Sequence, residues 1–121
     1  MDAHEYVGYL GDMPEEHFVV LHLTTRHEVL ALHEISHGTL SASLVHPREV
    51  FKGALLANAH AILVAHNHPG GSVTPSREDL KTTEQLLAAG KILGIGVIDH
   101  LIVAGDQCVS IRESHPHLWG D

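Results

Sequence analysis

Two histidines and one aspartate have the types and spacing for chemistry at a metal ion. They sit in the stretch His66-Asn67-His68-Pro69-Gly70-Gly71-Ser72-Val73-Thr74-Pro75-Ser76-Arg77-Glu78-Asp79. Side chains alternate along extended backbone, so His66 and His68 point the same way. The apolar run Ala61 to Ala65 leads into them and reads as a buried strand. The Pro- and Gly-rich turn that follows lets the chain fold back, and a helical pattern runs from Arg77 to about Leu93. Two imidazoles and a carboxylate then converge on one point. Three protein ligands with a fourth position left for water is the count of a catalytic zinc site, whereas a structural site is closed by four protein ligands. Iron or manganese also suits two His and one Asp.

Plainer readings stand beside this one. Ser76-x-x-Asp79 is a helix-starting signature, a hydroxyl at the N-cap with an acid three residues on, and Pro75 fits the entry. With 13 histidines in 121 residues, a chance His-x-His is common, and the pair alone reads as polar residues at a strand end. Asp79, at the head of a helix, reverses that balance. The two readings of Ser76 and Asp79 coexist: Ser76 begins the helix while Asp79, one turn in, faces the metal.

The elements that must position these residues alternate. Residues 3–11 read as a short helix bearing Tyr6, Val7 and Leu10, ended by Gly11 and a turn at Asp12-Met13-Pro14. Phe18 to Leu21 is a strand, Thr24 to His27 a hairpin loop and Val29 to Ile35 the partner strand. A bulge or bend is expected at Ser36-His37-Gly38, with Thr39 to Val45 extended beyond it. Pro47 opens a helix with Val50, Phe51, Ala54, Leu55 and Asn58 on one face. In the helix after Ser76, Leu80, Thr83, Leu87 and Lys91 follow the helical period with Leu86 beside them, Gly90 weakens the last turns and Gly94 caps it. Val97 to Val103 is a strand interrupted by Asp99-His100, and Cys108 to Ile111 returns beside it after a turn at Gly105-Asp106. Residues 114–121 read as a tail. This order implies a mixed sheet covered by helices, an α/β fold in one domain over residues 1–121.

Composition limits the partners. Seven basic against 15 acidic residues give a net charge of −8, a poor footprint for nucleic acid and for an anionic membrane surface. Hydrophobic content of 44% is that of a globular chain. One cysteine, Cys108, excludes an internal disulfide framework and suits a reducing compartment. No apolar stretch is long enough to span a bilayer, and the N-terminus lacks the parts of a secretion signal. The expectation is a soluble cytoplasmic protein.

His66-x-His68, ten residues, then Asp79, with Ser76 three before it, resembles the JAMM motif of JAB/MPN+ metalloproteases. More narrowly, His66-Asn67-His68-Pro69, Pro75-Ser76-x-x-Asp79 and Asp99-His100 resemble the bacterial RadC family. Gly38-Thr39, His46-Pro47-Arg48-Glu49-Val50 and Asn58-Ala59 belong to the same resemblance, which covers roughly residues 12–113. Two features depart from the pattern: Gly70 stands where the family usually has Ser, and the helix-hairpin-helix region of longer relatives does not precede the motif. The resemblance implies an MPN/JAMM fold, a cytidine-deaminase-like three-layer architecture. Deaminase chemistry itself needs a later Pro-Cys-x-x-Cys, which a chain with one Cys lacks.

What the resemblance implies is a zinc-dependent metallohydrolase with one zinc ion on His66, His68 and Asp79, cleaving a peptide or isopeptide bond. Zinc lowers the pKa of bound water to about 7. The reaction further needs a general base and a donor for the oxyanion. In JAMM proteins the base precedes a short apolar strand upstream of His-x-His; Glu16 fits, with Glu15 as its competitor and a solvated acid as the plain alternative. Ser76 is the oxyanion donor by the same resemblance. Asp99-His100 needs partners if buried, either to orient a zinc ligand or for structural hydrogen bonding. His22 falls on the polar face of its strand, and Cys108 reads as a buried structural thiol. Two other functions compete: a DNA-repair-associated module, from the family's traditional label, and a metal-binding interaction domain without turnover.

Overall fold

The strand Ala61–Asn67 (β3) is buried at every residue. A strand with no wet face needs cover on both sides and a partner on each edge, and that requirement arranges the rest of the chain. In this computed structural model, which describes residues 2–37 and 45–121, β3 is the middle of five strands. His17–Leu23 (β1) and Val29–His37 (β2) form a hairpin on one side, and Gly96–Ala104 (β4) and Gln107–Ser110 (β5) lie on the other. The order is β2-β1-β3-β4-β5. Among the described residues only β3 and β4 are parallel. Parallel neighbours need a long crossover, and the helix Arg77–Leu93 (α3) supplies it.

The two faces have separate cores. Phe18, Val20, Ile62 and Val64 face α3 and the helix Pro47–Leu56 (α2), packing on Val50, Phe51 and Leu86. Val19, Leu21, Leu63, Ala65 and Leu101 face the short helix Ala3–Val7 (α1) and the 3-10 turn Gly8–Asp12, through Val7 and Leu10. The result is an α/β fold in three layers around a mixed sheet, as read from the sequence.

A register shift in β4 matters to the site. Ile62 pairs with Val97 but Val64 pairs with His100, so two residues of β4, Ile98 and Asp99, oppose Leu63 alone. This bulge changes which side of the sheet the following residues meet. Val97 packs in the α2/α3 core, yet three residues later His100 also lies on that side, beside His66.

Several expectations change. His22 is 3% exposed and lies on the α2 side with Val20, its ring edge-on to His33; an apolar–polar alternation cannot mark the polar face of a strand covered on both sides. Leu55 is 55% exposed and Asn58 lies past the helix end with a φ of +53°, so the buried face of α2 is Val50, Phe51 and Ala54. The buried stripe of α3 is Asp79, Thr82, Thr83, Leu86 and Gly90; of the expected Leu80, Thr83, Leu87 and Lys91, with Leu86 beside them, only Thr83 and Leu86 belong to it. Residues 39–44 of the expected extended stretch lie outside the described residues. Residues 114–121, expected as a tail, are tied down instead. Ile111–Ser114 is a short helix (α4), Pro116–Trp119 a 3-10 turn, Trp119 Nε1 donates to Val97 O at 2.7 Å and Arg112 Nε donates to Asp121 Oδ2 at 2.8 Å.

Gly90 is required by packing. A Cβ there would stand 2.4 Å from the Ile95 carbonyl oxygen, where the chain turns from α3 into β4. Overpacking of that kind costs about 1–3 kcal/mol, more than the roughly 1 kcal/mol that alanine gains over glycine in a helix. Gly90→Ala therefore lowers the thermal midpoint, by roughly 3–10 °C in a melt followed by circular dichroism.

Candidate metal centre

Three elements bring the site together. β3 ends at His66 and Asn67, and His68 follows directly, its N–H donating to Val103 O of β4 at 3.0 Å. The chain then turns at Gly71, whose φ of +93° suits glycine. The His68 Nδ1–H donates to Ser72 O at 2.7 Å, which leaves Nε2 to face Asp79 or a metal. Ser76 then opens α3 with a capping box. Its Oγ accepts from Asp79 N at 3.0 Å, and its own N–H donates to Asp79 Oδ2 at 2.9 Å. The cap thereby aims the Asp79 carboxylate back at the strand end.

His66 Nε2 and His68 Nε2 are 3.0 Å apart. Asp79 Oδ1 lies 3.1 Å from His66 Nε2, and Oδ2 lies 3.1 Å from His68 Nε2. Ligand atoms about 2.0–2.1 Å from a tetrahedral zinc stand about 3.3–3.4 Å from one another. The two imidazole nitrogens are within a few tenths of an ångström of that spacing, each faces its own Asp79 oxygen, and with one atom per residue the three donors lie within 4.8 Å of one another, all of kinds that a divalent cation takes. His66 and Asp79 are buried at 0% and 2% exposure, while His68 forms the open side. Phe18 stacks on the His66 ring at 5.9 Å and closes the sheet side.

The local field fits a cation. Burial alone would raise the Asp79 pKa, but hydrogen bonds with His66, His68 and Ser76 N outweigh it and hold the carboxyl well below the usual range. The hydrogen bond with Asp79 raises the pKa of His68. Burial raises that of Glu16, against the pull of His66 and His68 and with a push from Asp79. Glu16 is therefore within the field of all three triad residues. It is half-buried, whereas Glu15 is exposed.

A family model described as RadC-like JAB domain matches residues 1–116. The chain belongs to that family. It is 49% identical to a UPF0758 protein of Staphylococcus haemolyticus over 86% of this chain and 46% of the relative. It is 52% identical to one of Rubrobacter xylanophilus over 88% and 46%, and 44% identical to one of Methanosarcina acetivorans over 86% and 45%. The chain thus spans about half the length of these relatives. The departure at Gly70 does not disturb this RadC-like JAB domain: a Cβ added there meets nothing within 4 Å.

The structure brings His66, His68 and Asp79 together as a candidate metal site. Ser76 is the helix cap, its hydroxyl oxygen occupied as an acceptor and its proton still able to donate. Sequence reasoning missed two supporting residues, Asn67 and Thr83, and named a third, His100, only together with Asp99. Asn67 Oδ1 accepts from His17 N at 2.6 Å and its Nδ2 donates to Glu15 O at 2.9 Å, which clamps the backbone on both sides of Glu16. His100, completely buried, meets His66 Nδ1, and Thr83 meets His100. Asp99 turns away from the site, accepting from Ser110 Oγ at 2.6 Å and Arg112 N at 3.2 Å. The His-Asn-His spacing and the 3.6-residue period from Asp79 to Thr83 were visible signals for Asn67 and Thr83. No helix among the described residues is long and apolar enough to cross a membrane.

His66→Ala, His68→Ala and Asp79→Ala each leave two ligands. Elemental analysis after gel filtration is expected to fall from about one divalent ion per chain to under about a tenth in all three. Retention of a full complement in any of them would mean that the ion is held elsewhere.

Proposed function

We propose that this domain is a zinc-dependent hydrolase that cleaves a peptide or isopeptide bond. The observation that carries the reading is the convergence of His66 Nε2, His68 Nε2 and the Asp79 carboxylate at 3.0–3.1 Å, with Glu16 in their field. Zinc on these three residues, when bound, supplies a water of lowered pKa and polarises a carbonyl. His66, His68 and Asp79 hold it and leave one side open toward His68, the more exposed imidazole.

Glu16 is the general base, the role that JAMM resemblance assigns it. Its carboxylate takes a proton from water and returns it to the leaving amine. The raised pKa of Glu16 supports this role, since a stronger base takes the proton more readily. Asn67 holds the backbone carrying Glu16 in place. The Ser76 hydroxyl donates to the oxyanion of the tetrahedral intermediate while its oxygen continues to cap α3. The substrate is a peptide or protein. The −8 charge disfavours nucleic acid as partner and with it a DNA-repair module.

The test is hydrolysis of a panel of peptide and isopeptide substrates by the zinc-loaded chain. Glu16→Gln keeps zinc and lowers kcat/KM by about 100- to 10,000-fold, the range of a general base. Glu15→Gln leaves the rate near wild type. The acid limb of the pH–rate profile reports the ionisation of Glu16, and Glu16→Gln removes it. A zinc-loaded wild-type chain that cleaves nothing in the panel would move the assignment to a metal-binding domain without turnover.

A further inference from the structure

Behind the facing triad, His66 is held by a second series of hydrogen bonds. Its Nδ1 lies 2.8 Å from His100 Nε2. His100 Nδ1 lies 2.7 Å from Thr83 Oγ1, which lies 2.9 Å from the Asp79 carbonyl oxygen. His66, His100 and Thr83 are completely buried. Asp79 stands at both ends, since its carbonyl terminates the chain and its carboxylate faces His66 Nε2 at 3.1 Å. No water-facing group intervenes, so the protons along this path are ordered together.

A neutral imidazole carries one proton, on one nitrogen. Two orders satisfy both imidazole links, and they differ in whether the Thr83 hydroxyl donates to Asp79 O or gives up that bond and donates to His100 instead. In one, His66 donates from Nδ1 to His100 Nε2, His100 donates from Nδ1 to Thr83 Oγ1, and the hydroxyl donates to Asp79 O; the His66 Nε2 lone pair is then free to bind. In the other, Thr83 donates to His100 Nδ1, His100 donates from Nε2 to His66 Nδ1, and His66 donates from Nε2 to the Asp79 carboxylate. A hydroxyl can end both orders, because it donates and accepts.

Building on the zinc-centre reading above, we propose that Thr83 and His100 are positioning residues that set the tautomer of His66. The proton order of their chain is reversed between the metal-free and the zinc-loaded protein. Without a cation the buried Asp79 carboxylate needs donors, and the order that places a proton on His66 Nε2 supplies one. With zinc on His66 Nε2 the proton must be on Nδ1. His100, neutral in its dry site, must then carry its own on Nδ1, and Thr83 must accept it. Rotation of one hydroxyl and a tautomer change in two rings separate the states, with no change in net charge along the chain. Valine at position 83 has a similar shape but leaves the His100 Nδ1–H without an acceptor in the zinc-loaded order.

Long-range 15N–1H correlation spectra of the labelled chain read the tautomers directly. The expected result is Nε2–H on both His66 and His100 after chelation, and Nδ1–H on both with one equivalent of zinc. Zinc affinity by chelator competition is expected to fall about 10–100-fold in Thr83→Val and to return to within about threefold of wild type in Thr83→Ser. The same Nδ1–H tautomer of His100 in both states would overturn the proposal, as would Thr83→Val binding zinc like wild type. If Thr83→Val does not fold, the wild-type spectra decide alone. A wild-type chain that takes up no zinc removes the zinc-centre reading. The metal-free spectra then decide the chain by themselves: Nε2–H on both rings supports it, and Nδ1–H on His100 overturns it.

Discussion

One buried carboxylate organises the site. Asp79 is 2% exposed, and an ionised carboxylate in such a place costs on the order of several kcal/mol unless it is paired and hydrogen-bonded. Three groups offset that cost. The Ser76 N–H donates to it, the N-terminus of α3 presents the positive end of the helix dipole, and two imidazoles lie 3.1 Å from its oxygens. The same capping box that starts the helix therefore also determines where the acid points. Helix initiation and ligand placement are one interaction here, so a change that moved the cap would move the carboxylate with it.

The sheet makes that arrangement dry. β1 and β3 are covered on both faces, so His66 emerges among Phe18, His100 and Thr83 and not into solvent. Low local dielectric strengthens each polar contact and makes each unpaired one costly. The bulge at Ile98–Asp99 of β4 is the backbone feature that brings His100 into this dry pocket. Burial then pushes the His100 pKa well below the ordinary histidine value and keeps the ring neutral, so it serves as a hydrogen-bonding partner and not as a charge.

The family resemblance and the triad were legible because both depend on short-range pattern. His66 and His68 share a face by strand alternation, and Asp79 follows from the helix start at Ser76. The burial of individual residues was less legible. His22 looked polar-facing because its neighbours are leucines, yet a doubly covered strand buries both alternating sets. The α3 stripe was read one position off, on Leu80, Thr83, Leu87 and Lys91, because those residues keep the helical period. The inner face is polar near its start because it meets the imidazoles there, and it becomes apolar only at Leu86. The C-terminal residues looked like a tail because His115-Pro116-His117 has no strong local pattern, but Trp119 and Asp121 find distant partners.

By itself, the order of residues determined the alternation of strands and helices, the cap at Ser76 and the three side chains that face one another. These follow from local periodicity and hydrogen bonding within a few positions. Only the tertiary structure decided that Glu16 is half-buried while Glu15 is exposed, with Asn67, about fifty residues on, clamping the backbone on both sides of Glu16. It also decided that His100 and not Asp99 stands behind His66, because a bulge changes the phase of β4 against β3. Both choices turn on contacts between residues distant in sequence, where local pattern carries no information about which neighbour the fold will supply.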